Sequence, residues 1–433
     1  MHNLFKKLNN KGIALIATYM AITILLAFSG FIVEVGNSQN KTTNTFKRQA
    51  QATAIAEAGL DRALIWLRSQ PTPPGSSTNP WGGPQTLGIP AIGAYSVTIT
   101  DLGSPGGSPS VKRYRVASVG TAGGINRTLT NYLQTDNYAR YIWFTDSESY
   151  GGTNVWFWDQ DILNGPVHTN SHFNIKGDPV FDGEVRSVDG YIRYYNNGNN
   201  INSSNLSNPP YDLPDFRSTV TLGADGTNMP TQALSLRSAS TSAGGLRLTG
   251  NSTVVLNSNG TMNVTNSAKG WNNRNMSLPS NGALFVNSGT LTISGTLNGR
   301  LTAGSSRDII IPNNIVYSND PAIDPASTDT LGLISEEDVM ISSGAPTNLR
   351  IDASIMALNT SFMLTNWWVG PAKGTLTVFG GIIQKERGPV GTFSGTTKVS
   401  GYSKNYQYDT RLLNSPPPFV PTTGDYITLS WEN

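Results

Sequence analysis

From Ile13 to Val33 the chain carries no charged residue. At 1.5 Å per residue, a helix of that length spans roughly 31 Å, the thickness of a bilayer's hydrocarbon core. Soluble folds rarely need so many consecutive apolar residues, so this run decides where the remaining chain resides. Lys6, Lys7 and Lys11 precede it with no acid among them, which places its start in the cytoplasm by the positive-inside rule. Helical patterning continues past the run through FKRQAQATAIAEAGLDRALIWLRSQP. There Ala50, Ala54 and Ala58 recur every fourth residue, as do Ile55 with Gly59 and Leu60 with Leu64. Pro71, Pro73 and Pro74 end the pattern. One helix over residues 13–70, part in lipid and part in water, is the expectation.

Two processing schemes are compatible with this start. Ala27-Phe28-Ser29 has the small-x-small form of a signal-peptidase site, and a cut after Ser29 would discard the run. The helical pattern that continues beyond it argues for a retained segment. The basic leader, Lys11-Gly12, the apolar helix and the segment AEAGLDRAL together resemble type IV pilins and pseudopilins. The likeness is to the PilX-type and tip minor subunits in particular. It implies residues 1–12 as a leader, a prepilin peptidase cutting between Gly12 and Ile13, and Ile13 as a methylated mature N-terminus. Its implied partners are other pilin or pseudopilin subunits, met through the helix, and the inner membrane before assembly.

Most major pilins carry glutamate at the fifth position after the cut, where this chain has Ala17. In the family that carboxylate neutralises the α-amino group of a neighbouring subunit, because an unpaired charge in lipid is costly. A tip subunit has no earlier neighbour to meet, so Ala17 favours a minor, tip-proximal role; simple loss in this lineage is the other reading. Glu34, just past the run, belongs at the membrane surface. Small residues such as Ala17, Ala50, Ala54 and Ala58 let helices approach closely. Their face packs on other pilin helices or on the subunit's own sheet.

Residues 71–92 are rich in Pro, Gly and Ser and read as a linker. Three strand-like runs follow within 93–136: AYSVTITDL, KRYRVASVG and INRTLTNYLQ. Tyr95, Val97 and Ile99 alternate with polar residues, as do Tyr114, Val116 and Ser118, and TAGG makes the turn between the second and third runs. A small antiparallel sheet laid against the helix is expected.

The large remainder, 137–433, lacks any helical period and repeats short alternating runs punctuated by Gly, Asn or Ser. Its inward candidates are Leu284 and Val286, Leu291 and Ile293, Ile309 and Ile311, Val339 and Ile341, and Leu376 and Val378. Strands of three to five residues with such close turns suit a parallel β-helix, with a β-sandwich as the alternative. The fold class is therefore α+β, with the C-terminal module mainly β. The segments NGPVHTNSHFNIKGDPVFDGEV and LGLISEEDVMI resemble uncharacterised surface domains that follow PilX-type N-termini, and that resemblance carries no chemistry.

Composition narrows the function. Net charge is +2 with basic residues scattered, which excludes a nucleic-acid footprint. Cysteine is absent, so neither disulfides nor thiolate metal sites are available. His168 and His172 would share a helix face, but PVHTNSHF reads as turn and strand, where four residues span about 13 Å, too far for one metal. Hydrogen bonding by His168 and Asn170 to backbone is the expectation instead. Asp320, Asp324 and Asp329 read as a solvated loop and not as an EF-hand. No catalytic, cofactor or metal residue is assigned.

Aromatic clusters are the better lead: Trp156, Phe157 and Trp158 in WFWDQD, Tyr191, Tyr194 and Tyr195 in GYIRYYNN, and Trp367 with Trp368 in NWWVG. Neighbouring rings on a strand face opposite ways, so one of each pair is free to stack on a surface glycan or anchor a cell-surface protein. Aromatic caps on the module are the plainer reading. The functional expectation is a non-enzymatic minor pilin or pseudopilin-like subunit, made in the inner membrane and displayed on a surface filament. A surface-tethered, carbohydrate-active β-helix enzyme is the alternative.

Overall fold

The computed structural model describes residues 2–70, 72–88, 91–105, 108–109, 111–205, 210–394 and 397–432, with the side chains of 2–11 and of Asn205 excepted. The side chains of Lys6, Lys7 and Lys11, and the whole of Pro71, thus lie outside the described residues. The chain divides into two compact units. The first comprises Met1–Asp101, Tyr114–Leu133 and Thr428–Asn433, and the second Leu102–Arg113 and Gln134–Ile427.

In the first unit, helix α1 (His2–Arg68) runs 67 residues, about 100 Å at the α-helical rise. Every residue from Gly12 to Val35 is exposed. Within that stretch the Thr and Ser hydroxyls bond back into the helix: Thr18 Oγ1 donates to Ala14 O (2.8 Å), Thr23 Oγ1 to Tyr19 O (3.0 Å) and Ser29 Oγ to Leu25 O (2.8 Å). These three side-chain donors are satisfied without water, as a helix in hydrocarbon favours.

The other half of α1 buries one face, formed by Ala52, Ile55, Ala56, Leu60, Ala63 and Leu67. Strands β1 (Gln85–Leu87), β2 (Gly93–Asp101), β3 (Arg113–Ala122) and β4 (Ile125–Asn137) form the sheet beneath it. Strands β2 and β3 pair antiparallel, with Tyr95 opposite Gly120, and the inward rows are the expected Tyr95, Val97, Ile99 and Tyr114, Val116, Ser118. Gly120 sets the contact distance, since a Cβ there would sit 2.1 Å from Ala52 O. Gly123 and Gly124 both have positive φ (52° and 82°), the backbone of a tight two-residue hairpin between β3 and β4.

Two features differ from the sequence reading. The described part of 71–92 is tied down: β1 pairs with β2, Thr78 bridges Ile99, and Trp81 receives the Arg62 guanidinium at 4.8 Å. The strand Thr422–Glu432, counted in the sequence with the C-terminal module, completes this sheet at the edge beyond β4.

In the second unit the described residues include a 23-stranded sheet, mostly parallel. Equivalent positions stack in register: Leu246, Leu284, Ala303, Leu333, Ile355 and Ile382 are successive parallel partners. Ile382 then pairs with Trp143 of β5 (Trp143–Ser147), and Trp143 continues the row to Val167, Val185 and Val220. The order along the sheet is thus not the order along the chain. The module begins mid-sheet at β5, winds outward to Val220–Leu222, crosses by a connection containing helix α2 (Leu234–Thr241), and winds back from Leu246–Thr249 until it meets its own start.

The inward candidates Leu284, Val286, Leu291, Ile293, Ile309, Ile311, Val339, Ile341, Leu376 and Val378 are all buried in one core. One wall carries a second layer, because Phe285, Ile334, Met356, Ile383 and Phe144 are buried with Leu236 of α2, Leu412 and Val420. Gly304 makes room for that layer, since a Cβ there would come within 2.6 Å of Leu236. Burial of both faces explains why Thr330–Ser335 is buried throughout and does not alternate. The many-stranded parallel sheet agrees with the expected fold class and not with a sandwich of antiparallel sheets. Strand length differs from expectation, with Ala372–Glu386 running 15 residues and Thr397–Tyr408 running 12.

Candidate functional site

The candidate site is a cavity of about 610 Å³ in the second unit, within the range of roughly 300–1,000 Å³ common for small-ligand sites. Its geometry starts from the strand Phe157–Trp158. Phe157 points inward at 1% exposure and meets Phe173 (5.9 Å) and Phe181 (5.4 Å). Period-two alternation therefore turns Trp156 and Trp158 the other way, and both line the cavity. The neighbouring strand Asn174–Lys176 lies parallel, with Lys176 in register beside Trp158. The Lys176 ammonium sits 4.7 Å from the centre of the Tyr195 ring, and that ring meets Trp156 edge-on at 5.4 Å. The facing lip brings Phe393 to 4.4 Å from Trp158 and Trp367 to 6.3 Å from Tyr150.

An ion cluster forms the cavity's base. Arg387 is 1% exposed, its guanidinium 3.7 Å from the centre of the Phe157 ring. It donates to Glu148 Oε2 (2.8 Å) and to Trp156 O (3.1 Å), and lies 3.7 Å from Asp161. Glu148 also accepts from Trp143 Nε1 (3.0 Å) and from the Thr145 hydroxyl. Asp161 holds Lys404 at 2.9 Å. Burial pushes the Lys404 ammonium below its ordinary pKa, with the Asp161 carboxylate opposing that shift. Two cations and two carboxylates thus balance inside the wall, the condition under which buried charge is tolerated. Chemically this base is a strut: Arg387 and Lys404 reach the cavity, and their carboxylate partners do not line it.

The aromatics singled out in the sequence separate here. Trp156, Trp158 and Trp367 come together on the cavity. Trp368 stands beside Trp367 (5.5 Å) and is 60% exposed, off the cavity wall. Tyr194 is buried in the core, in register with Ile175. On α1, Gly12, Ile13, Ala17, Ala50 and Ala54 are exposed and Ala58 is half-buried. Ala17, Ala50 and Ala54 are thus uncovered by the subunit's own sheet, and the helix's fully buried alanines are Ala52, Ala56 and Ala63.

His168 and His172 sit on strand and loop with separate partners, and no group of three or more metal-binding side chains occurs among the described residues. His168 stacks on Phe144 (4.9 Å) and its Nε2 lies 3.0 Å from Asn170 Oδ1, a side chain where backbone was expected. Asn170 does bond backbone, donating to Thr227 O at 2.7 Å. His172 pairs with Asp189 at 2.9 Å. Asp320 and Asp324 accept from the backbone N–H groups of Ala322 and Ala326, and Asp329 from those of Gly299 and Asn319. Lys176, Arg387 and Phe393 went unnoticed in the sequence. Glu148 and Arg387 are 239 residues apart, and no local pattern marks such a pair.

A family described as a domain of unknown function (DUF4900) matches residues 107–189. No curated protein matches the chain. Among solved structures, the crystal structure of the competence-associated pilin ComZ from Thermus thermophilus is similar over 89% of this chain and 97% of its own, at 13% identity and a TM-score of 0.36.

Proposed function

We propose that the chain is a minor, pilin-like structural subunit of a type IV pilus or related secretion filament, displaying its β-rich module outside the cell for adhesion. The observation that supports this reading is the asymmetry of α1. One half buries a face on its own sheet, and the other half, Ile13 to Val33, leaves an apolar surface uncovered on every side. Such a surface needs lipid before assembly and neighbouring helices afterwards. Exposed Ala17, Ala50 and Ala54 lie on the helix where close approach by those neighbours is sterically free. In this scheme a prepilin peptidase cuts between Gly12 and Ile13, and the precursor resides in the inner membrane.

The test is mass spectrometry of the N-terminal peptide from surface-sheared material. A methylated peptide starting at Ile13, in a fraction that also holds filament subunits, is the expected result. A mature chain starting after Ser29, or one confined to the soluble fraction, overturns the reading.

The cluster of Glu148, Asp161, Arg387 and Lys404 is the one observation that favours an enzyme. Glycoside hydrolysis, however, needs two carboxyl groups flanking the scissile bond. Glu148 and Asp161 are instead 1% and 4% exposed and bonded to the cations in front of them. The geometry therefore supports binding over hydrolysis.

A further inference from the structure

We infer that the cavity beside Trp158 binds an acidic saccharide, through a uronate-type carboxylate held by Lys176 and pyranose rings laid on the indoles. The inference deepens the adhesion reading by naming the ligand class, and it stands on binding alone, independent of filament assembly. Three observations lead to it.

The first is the kind of apolar surface. Trp156, Trp158 and Trp367 line one opening together with Asn154, Thr153 and Thr392. Flat rings interleaved with hydroxyl and amide groups suit a ligand that is apolar on its faces and polar on its edges, as a pyranose is. A purely apolar ligand would leave those polar groups without partners.

The second is the charge a ligand meets. Among the described residues no carboxylate side chain lines the cavity, while Lys176, Arg387 and Lys404 do. Arg387 and Lys404 are neutralised from behind by Glu148 and Asp161. Lys176 has no acidic ion-pair partner among the described residues; its ammonium lies over the Tyr195 ring. The acids beside its strand end bond backbone instead, Asp212 accepting from Gly177 N–H (2.7 Å), Asp159 from Asp178 N–H (3.0 Å) and Asp178 from Leu213 N–H (3.1 Å). One ammonium is left for a ligand to neutralise.

The third is register. Lys176 and Trp158 are in-register partners on adjacent parallel strands, so ammonium and indole are neighbours on one surface. A ring stacked on Trp158 would bring an equatorial carboxylate toward Lys176 without any rearrangement of the backbone. Rigid strands hold both groups, which keeps the entropic cost of binding low.

The experiment uses the full chain in detergent micelles, titrated with trigalacturonic acid and, separately, with its methyl ester, by isothermal calorimetry. The acid is expected to bind and the ester to bind about tenfold more weakly, the size of one charge-assisted hydrogen bond. Lys176→Gln, a half-buried position outside the core, should weaken the acid by a similar factor and abolish the preference for it. Trp158→Ala should lose both ligands while the thermal unfolding midpoint stays near that of the parent chain. Equal binding of acid and ester, an unchanged affinity in Lys176→Gln, or no binding of either trisaccharide would each overturn the inference. A failure here leaves the N-terminal peptide result untouched, so the two readings fail separately.

Discussion

Ile382 and Trp143 are parallel strand partners, which places a late strand of the second unit's winding directly on its beginning. Next to them Ile383 pairs with Phe144 and Gln384 with Thr145. The strand that starts the module is covered on one side by a strand the ribosome makes far later. Truncating Ile382 to Ala should cost about 2–5 kcal/mol, the usual range for a buried aliphatic side chain. In hydrogen exchange, amides of Trp143–Ser147 and Ala372–Glu386 should lose protection together; protection lost from only one strand would show that the junction does not couple them.

The Arg387 cluster closes the same junction, since Arg387 N–H donates to Ser147 O (3.0 Å) while its guanidinium holds Glu148. Arg387→Met removes one partner of a buried ion pair and leaves Glu148 and part of Asp161 uncompensated. Chemical unfolding followed by tryptophan fluorescence should show a loss of about 3–5 kcal/mol. Arg387→Lys keeps the charge but not the fork that also reaches Trp156 O, so an intermediate loss is expected.

The stability of the second unit should fall on acidification through His168. Burial pushes its imidazole below the ordinary value of 6.5, partly offset by the bond to Asn170, with Arg186, Glu184 and Arg140 as the other charged groups acting on it. Below 6.5 the unfolded chain takes up a proton that the native ring resists, so the unfolded state binds more protons there. The stabilising contribution is complete above 6.5 and is lost as pH drops toward the native value. Comparing unfolding midpoints between pH 7 and about 5, His168→Gln should show a shallower decline than the parent chain. Parallel declines would remove His168 from the account.

Two substitutions separate the two faces of α1. Gly120→Val drives a side chain into Ala52 O, which a bare Cβ already approaches to 2.1 Å, and should cost about 1–3 kcal/mol. Limited proteolysis of the helix should quicken accordingly. Ala54→Leu lies on the exposed face and should change stability by no more than about 0.5 kcal/mol. It should nonetheless reduce recovery of the subunit in sheared filaments; unchanged recovery would remove Ala54 from the assembly surface.

Local pattern was informative wherever a residue's role depends on its immediate neighbours. Alternation in SVTIT and RYRVASV picked out Val97, Ile99, Tyr114 and Val116 as inward, because a strand has only two faces. It could not identify the buried rows Phe285, Ile334 and Met356, whose cover comes from α2 and from the segment around Leu412. The aromatic pairs were visible as clusters, but their separation was not. Trp156 and Trp158 reached the cavity while Tyr194 entered the core, and adjacent strands made that choice.

By itself, then, the amino-acid order determined the uncharged helical run, the antiparallel sheet behind it and the β-rich character of the rest, since each follows from spacing over a few turns or strands. Only the tertiary structure decided that Thr422–Glu432 completes the sheet of the first unit, that Trp143 stacks on Ile382, and that Lys176 and the indoles face one cavity. The first two relations join residues hundreds of positions apart through backbone hydrogen bonds. Such bonds carry no side-chain signature, so nothing in the sequence marks the partners before the chain folds.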